Sequence, residues 1–294
     1  MKASVGALTW GPSVSKADDR VATIQQTHVG ASGKRVLLVE GPDDISAFRQ
    51  LLGRRAPGWE AQWAVAEAGG KKLALAMAPL VPNWRVVVDR DEWSANQLTQ
   101  YQAQHANLSV LPRFCLESYL VDPDELWRAL PEKQQLKIVG GAPVLRAALL
   151  ATLADWQRHA GLWHVINPLW SGLRALGFKE GLLKTHNIPD DLVLKATLQA
   201  WSALIDANQI FNDVQTAVAA MVAEPIAGFL HRNLYAKAFY PQVVHPTLDR
   251  LLGAKPPTER RVALFKTRRL PADLEPLWLQ MGIPNLPAAE LDAR

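Results

Sequence analysis

The sequence predicts an α/β fold with a mainly parallel sheet, followed by an all-α domain. Three observations carry this expectation. Short apolar runs end abruptly in carboxylates. Segments of helical period separate those runs. After about residue 130 the runs disappear and only helical patterns remain. Uninterrupted valine and leucine runs are what strands buried on both faces of a parallel sheet look like, and alternation of strands with helices implies parallel pairing.

Residues 1–33 are a mixed lead-in, with a short helix expected over Ser15–Gln26 and a flexible Gly30-Ala31-Ser32-Gly33. The first strand is Arg35–Val39. A helix follows over Ile45–Leu52, because Ile45, Phe48, Leu51 and Leu52 fall on one face and Gly53 stops it. Trp63–Glu67 reads as the second strand. Gly69-Gly70-Lys71-Lys72 is a turn opening a helix over Leu73–Leu80. Arg85–Val88 is the third strand, Ser94–His105 a helix and Leu108–Leu111 a fourth short strand. The domains expected are therefore 1–33, 34–130 and 131–294. In the last of these, Ala142–His159, Asp190–Ile205, Phe211–Val222 and Phe229–Tyr240 read as helices, punctuated by Pro168, Pro189, Pro225, Pro241 and Pro246.

Composition bounds the class. At 294 residues, 49% hydrophobic, the chain can bury a sizeable core. Its mean hydropathy of −0.04 fits a soluble globular protein. One cysteine, Cys115, excludes an internal disulfide framework and a cysteine-based zinc site, and fits a reducing cytoplasm. Met1–Arg20 lacks a continuous apolar core, so no secretory signal is expected. No run of 18 apolar residues predicts a membrane span. A net charge of +4 permits a nucleic-acid partner without requiring one. The eleven tryptophans point first to core packing.

The chemistry sits at two acidic strand ends. The first is Val39-Glu40-Gly41-Pro42-Asp43-Asp44, the second Val88-Asp89-Arg90-Asp91. In open α/β sheets ligands bind beyond the carboxyl ends of strands. Two such ends on neighbouring strands gather carboxylates that repel one another unless a cation lies between them. Strand alternation would aim Asp89 and Asp91 at one site and turn Arg90 away. Asp43 reads as a cap for the following helix, and Asp44 as either cap or ligand. Glu40 ends a buried strand and has no capping use. Gly69-Gly70-Lys71-Lys72 is open between a phosphate cradle and a plain glycine turn with solvated lysines. Arg260, Arg261, Lys266, Arg268 and Arg269 are open between a solvated face and a phosphate-backbone clamp. The histidines, among them His159, His164, His186, His231 and His245, show no metal-binding spacing.

A strand ending in Glu40-Gly41, a Gly69-Gly70-Lys71 turn and a strand ending in Asp89-Arg90-Asp91 together resemble the TOPRIM domain of topoisomerases, bacterial primases, RNA maturases and OLD-family nucleases. Phe114-Cys115-Leu116-Glu117-Ser118-Tyr119-Leu120 resembles an E-N-Y-L element of the stand-alone TOPRIM nuclease subunits of PARIS-type phage defence, with Ser118 in place of Asn. Asn233–Tyr240 resembles a Gly-Lys element there, with Ala236 before Lys237. The resemblance covers about residues 34–130. It implies a Rossmann-like fold and a centre of Glu40, Asp44, Asp89, Asp91 and Glu117 holding Mg²⁺ or Mn²⁺, with Lys71 or Lys237 stabilising charge on phosphate. It leaves Glu40 open between metal ligand and general base. It further implies hydrolysis of RNA, such as tRNA, or of DNA, an ABC- or SMC-like ATPase partner, and a homodimer. A non-catalytic metal- or nucleic-acid-binding module and an RNA-processing maturase are the competing readings.

Overall fold

A computed structural model describes residues 14–178 and 190–284. The expectations placed on Pro189, on His186 and on the first thirteen residues lie outside the described residues. Four strands, β1 Arg35–Val39, β2 Trp63–Glu67, β3 Arg85–Val88 and β4 Leu108–Val110, form one all-parallel sheet in the order β2-β1-β3-β4. β1 pairs with β2 from Arg35↔Trp63 to Val39↔Glu67, and with β3 through Leu37↔Arg85 and Leu38↔Val86. β3 pairs with β4 from Val86↔Leu108 to Val88↔Val110.

Alternation along the strands sends side chains to both faces, and helices cover them. Val36, Leu38, Ala66, Val86 and Val88 form one buried cluster with Ala17, Val21 and Ile24 of α1 (Val14–Ile24) and Ala74 and Met77 of α3 (Lys71–Met77). Leu37, Val39, Val65 and Val87 are buried by the opposite face. There α2 (Pro42–Arg55) packs on the sheet, and its Phe48 meets Trp278 edge-on at 6.2 Å between ring centroids. Each fully buried Leu, Val or Phe contributes about 1.5–3 kcal/mol relative to an exposed one. α4 (Ala95–Gln104) precedes β4 and is capped by Ser94, whose hydroxyl accepts from the Gln97 N–H.

The strand order reverses beside β1: the chain leaves β1 for β2 on one side, then crosses to β3 on the other. Such a switch point leaves a crevice beyond the carboxyl ends of the two central strands. Glu40 and Asp89 are the residues that follow those two strands.

The chain divides into two compact units, one holding the residues up to Leu149 and those from Ala236 onward, the other holding Leu150–Tyr235. The composition shift near residue 131 is therefore not where the contacts divide. α5 (Pro123–Ala129), α6 (Glu132–Gln135) and α7 (Gly141–Leu150) extend the sheet-bearing unit. The helical unit follows with α8 (Leu153–Ala175), α9 (Asp191–Leu204), α10 (Ala207–Ala223) and α11 (Ile226–Arg232). α12 (Ala236–Phe239), α13 (His245–Leu252), α14 (Pro257–Thr267) and α15 (Glu275–Gln280) then return to the first unit.

Two of the expected helices are broken. Ala142–His159 is interrupted between α7 and α8, and Phe229–Tyr240 between α11 and α12. Pro168 punctuates nothing; it lies inside α8. α8 and α10 approach closely at Gly161, where an added Cβ would come within 2.9 Å of the Val218 backbone nitrogen. Asp190 and Asp206 cap α9 and α10 through the N–H groups of Val193 and Gln209. No described helix is long and apolar enough to cross a membrane.

Candidate functional site

Glu40 ties the two central strands together beyond their ends. Its Oε1 accepts the Asp89 N–H at 2.8 Å. Its carbonyl accepts the N–H groups of both Gly69 and Gly70, at 3.1 and 2.8 Å. Gly69 and Gly70 stand at φ +96° and +113°, backbone that a side chain disfavours, so the glycine pair is what lets both amides converge on one oxygen. The Gly69 and Gly70 amides are thus spent on Glu40 and are not open to a phosphate. The turn also starts α3 with Lys71 pointing at the strand ends. Lys71 is not solvated. Its Nζ lies 2.9 Å from Asp91 Oδ2, donates to the Arg90 carbonyl and sits 3.8 Å from the centroid of the Trp93 ring. Trp93 in turn stacks on Tyr101 at 4.3 Å.

Asp89 and Asp91 come together, but not by strand alternation. β3 ends at Val88, and Asp91 takes a left-handed backbone with φ +49°. Its N–H donates to the Phe114 carbonyl at 2.7 Å. A tight turn therefore brings the second carboxylate back beside the first, in a conformation Asp tolerates better than most residues. Asp89, only 6% exposed, accepts from the Leu116 N–H at 3.2 Å.

Lys237 enters this corner. Its Nζ lies 2.7 Å from Asp89 Oδ2 and 3.0 Å from Asp91 Oδ1. The sequence reading assigned Lys237 to the helical half. It belongs instead to the sheet-bearing unit, which the chain re-enters at α12.

Glu40, Asp89 and Asp91 each offer one oxygen, all within 4.8 Å of one another. Asp44 and Glu117 stand outside that trio. Asp44 Oδ2 accepts the Gly41 N–H at 2.9 Å, so it holds the first turn of α2 while facing Asp89 and Glu117. Asp43 is not the cap; Gly41 occupies that position, and the Asp43 carboxylate meets Arg261 at 2.8 Å. Arg261 also reaches Glu117 at 3.7 Å, a pairing that no sequence motif signals. Arg113 pairs with Glu125 and Asp273. Trp93 as the backing of Lys71 was also missed; its only signal is its place two residues after Asp91.

Burial and mutual repulsion set the electrostatics. Burial, then the Asp89 charge, pushes Glu40 up to about 7. The same two causes push Asp44 up to about 8. Burial lifts Asp89 to about 6 against the pull of Lys237. Burial works against the Lys237 ammonium, but Asp89 and Asp91 outweigh it and raise its pKa. Cys115 is fully buried, and burial pushes its thiol well above its ordinary value, so it is no nucleophile.

Of the basic run near the C-terminus, Arg260 is buried against Asp249 and Arg268 against Glu125. With Arg261 on Asp43 and Glu117, most of the run is neither a solvated face nor a free clamp. No protein-family model matches the chain, and no curated protein matches it in sequence.

Proposed function

We propose that the chain is a TOPRIM-type nuclease that uses Mg²⁺ or Mn²⁺ to hydrolyse phosphodiester bonds of RNA or DNA. One observation carries the reading: Glu40, Asp89 and Asp91 converge within 4.8 Å at the switch point between β1 and β3. Mg²⁺ takes carboxylate oxygens at about 2.0–2.1 Å, so a cation held by Glu40, Asp89 and Asp91 would draw the three oxygens together. Five acids, Glu40, Asp44, Asp89, Asp91 and Glu117, meet Lys71, Lys237 and Arg261 in the same corner, and burial raises the carboxyls of Glu40, Asp44 and Asp89.

A divalent cation bound there supplies Lewis acidity toward a phosphodiester and a source of activated water. The chain's own groups do the rest. Asp89 is oriented by the Leu116 N–H, and Asp91 by Lys71. Glu40 keeps Oε1 on the Asp89 N–H, which leaves Oε2 to hold the cation or to take a proton from water. Lys71 and Lys237 are positioned to neutralise charge developing on phosphate.

By the resemblance of residues 34–130 to PARIS-type subunits, we extend the reading to a toxic effector of phage defence, restrained by an ABC- or SMC-like ATPase. Leu192, Phe211 and Val222, strongly exposed on the helical unit, are compatible with a protein partner.

The test is cleavage of RNA and DNA by the full chain in Mg²⁺ or Mn²⁺, with and without its partner. Glu40→Gln and Asp89→Asn are each expected to lower cleavage by about a thousandfold or more, the scale on which removing a charge-stabilising group acts. Undiminished cleavage by either variant sinks the reading. One observation favours a second, non-catalytic reading: the Lys237 ammonium already stands between Asp89 and Asp91. A wild-type chain that binds no divalent cation in calorimetry and cuts nothing would make that reading the better one.

A further inference from the structure

The sheet-bearing unit holds its cations in two different ways. Arg113 and Arg268 form an arginine cluster closed by its own acids. Arg113 takes Glu125 and Asp273, while Arg268 takes Glu125 and the Tyr119 carbonyl. Both guanidiniums lie over the Tyr119 ring. Lys71 has a seat of another kind.

That seat is built from one turn. The left-handed backbone of Asp91 folds the chain back, so that the Arg90 carbonyl, the Asp91 carboxylate and the Trp93 ring all meet the same ammonium. The Lys71 Nζ stands 3.3 Å from the Arg90 carbonyl oxygen, 2.9 Å from Asp91 Oδ2 and 3.8 Å from the centroid of the Trp93 ring. The Trp93 N–H donates to that same Arg90 carbonyl at 3.3 Å, which ties the ring to the turn.

The other face of the indole is also taken. Tyr101 of α4 stacks on Trp93 with 4.3 Å between centroids and 12° between planes. An ammonium and a ring at such distances exclude each other from one face, so the indole lies between them. With both faces occupied, Trp93 is no platform for a nucleobase. Both aromatics pack against the buried cluster on the sheet, and Ser94, next to Trp93, caps the helix that carries Tyr101. The ring that faces Lys71 is thus fixed from behind.

Asp91 also belongs to the trio proposed to hold the cation, so it serves the lysine and the metal at once. The indole face attracts the ammonium through its ring quadrupole and uses no carboxylate.

We propose that Trp93, fixed by Tyr101, is a positioning residue for cleavage: it holds the Lys71 ammonium toward the phosphate whose charge grows as the bond is cut. The proposal rests on the nuclease reading. Trp93 acts only through Lys71. An ammonium placed in advance stabilises developing charge without rearrangement at the moment of reaction. An interaction made only in the transition state is read in kcat and not in KM.

The experiment is a double-mutant cycle in the full chain, read as kcat and KM for cleavage of labelled RNA and DNA in Mg²⁺. Trp93→Leu is expected to lower kcat by roughly fivefold to thirtyfold with KM unchanged, the range of a partly desolvated cation–π contact. Trp93→Phe keeps a ring face for the ammonium and should stay within about threefold of wild type. Lys71→Met should lower kcat at least as far as Trp93→Leu. In the Lys71→Met background, Trp93→Leu should change kcat by less than about twofold, because its partner is already gone. Wild-type kcat in Trp93→Leu overturns the proposal. So does an equal loss in both backgrounds, which would make Trp93 a structural prop. If Trp93→Leu shows no cooperative circular-dichroism melt, Tyr101→Leu takes its place in the cycle and should lower kcat only while Lys71 is present. The two readings fail separately. If Glu40→Gln still cuts while Trp93→Leu loses kcat only with Lys71 present, the acidic-centre reading falls and the positioning of Lys71 stands. If Glu40→Gln abolishes cleavage while Trp93→Leu cuts normally, the reverse holds. A wild type that cuts neither RNA nor DNA overturns both.

Discussion

The acidic corner and the arginine cluster are served by the same segment, Arg113–Tyr119, yet they are charged oppositely and finished differently. In the arginine cluster every carboxylate sits on a guanidinium. Glu125 alone engages both Arg113 and Arg268. In the corner the acids outnumber the lysines, and burial lifts Glu40, Asp44 and Asp89 together. One centre is closed by its own counter-charges and holds the fold. The other stores repulsion that a cation can relieve. Neutralising one acid should therefore have opposite signs in the two places.

The largest expected effect is on the closed side. Glu125→Gln strips the carboxylate from buried Arg268 and leaves Arg113 with Asp273 alone, and should destabilise by about 3 kcal/mol, the scale for breaking a buried pair. The check is chemical denaturation with an unchanged m-value. Stability unmoved by this change would erase the contrast.

Second is a pH dependence from the open side. A carboxyl whose pKa is raised by folding binds more protons native than unfolded. Its stabilisation is present below the unfolded value near 4 and is lost as pH rises through the folded value. For Glu40, Asp44 and Asp89 that window runs from about 4 to about 8. In EDTA, melting between pH 5 and 8 should fall by roughly 5 °C, on the order of 2 kcal/mol for a chain of this size. Magnesium at pH 8 should restore it. A melting temperature that rises over this range contradicts the assignment of repulsion to the corner.

Third, Glu40→Gln should raise metal-free stability at pH 8 by about 1 kcal/mol, because an amide oxygen still accepts the Asp89 N–H while a repelled charge is gone. Calorimetric melting in EDTA reads the sign. The smallest effect is expected of Asp43→Asn. Its carboxylate is half exposed and its pair with Arg261 is worth less than about 1 kcal/mol. A larger loss would mean that Arg261 depends on Asp43 to hold Glu117.

The same contrast explains what was legible in the sequence. The β1, β2 and β3 bounds and the trio Glu40, Asp89 and Asp91 could be read, because a buried strand shows as an apolar run and its end as a sudden acid. The way Asp91 returns to the site could not, since a left-handed turn in a non-glycine residue leaves no pattern. Proline gave the opposite error at Pro168: a residue that usually ends helices lies within α8. The arginine cluster was invisible because Arg268 and Asp273 follow Arg113 and Glu125 by more than 140 residues and no short motif joins the two pairs. The same distance hid the pairing of Arg261 with Glu117, so the basic run looked like surface.

The return of the chain to its first unit has a consequence for synthesis. Lys237 follows Asp91 by 146 residues, and Arg268 follows Glu125 by 143. At about 5–20 residues per second, each partner leaves the ribosome about 7–30 s after the acid it meets. The strands and their carboxylates are made first, then the whole helical unit, and only afterwards the lysine and arginine that close the two centres. A nascent chain halted before α12 carries the acids without either closure.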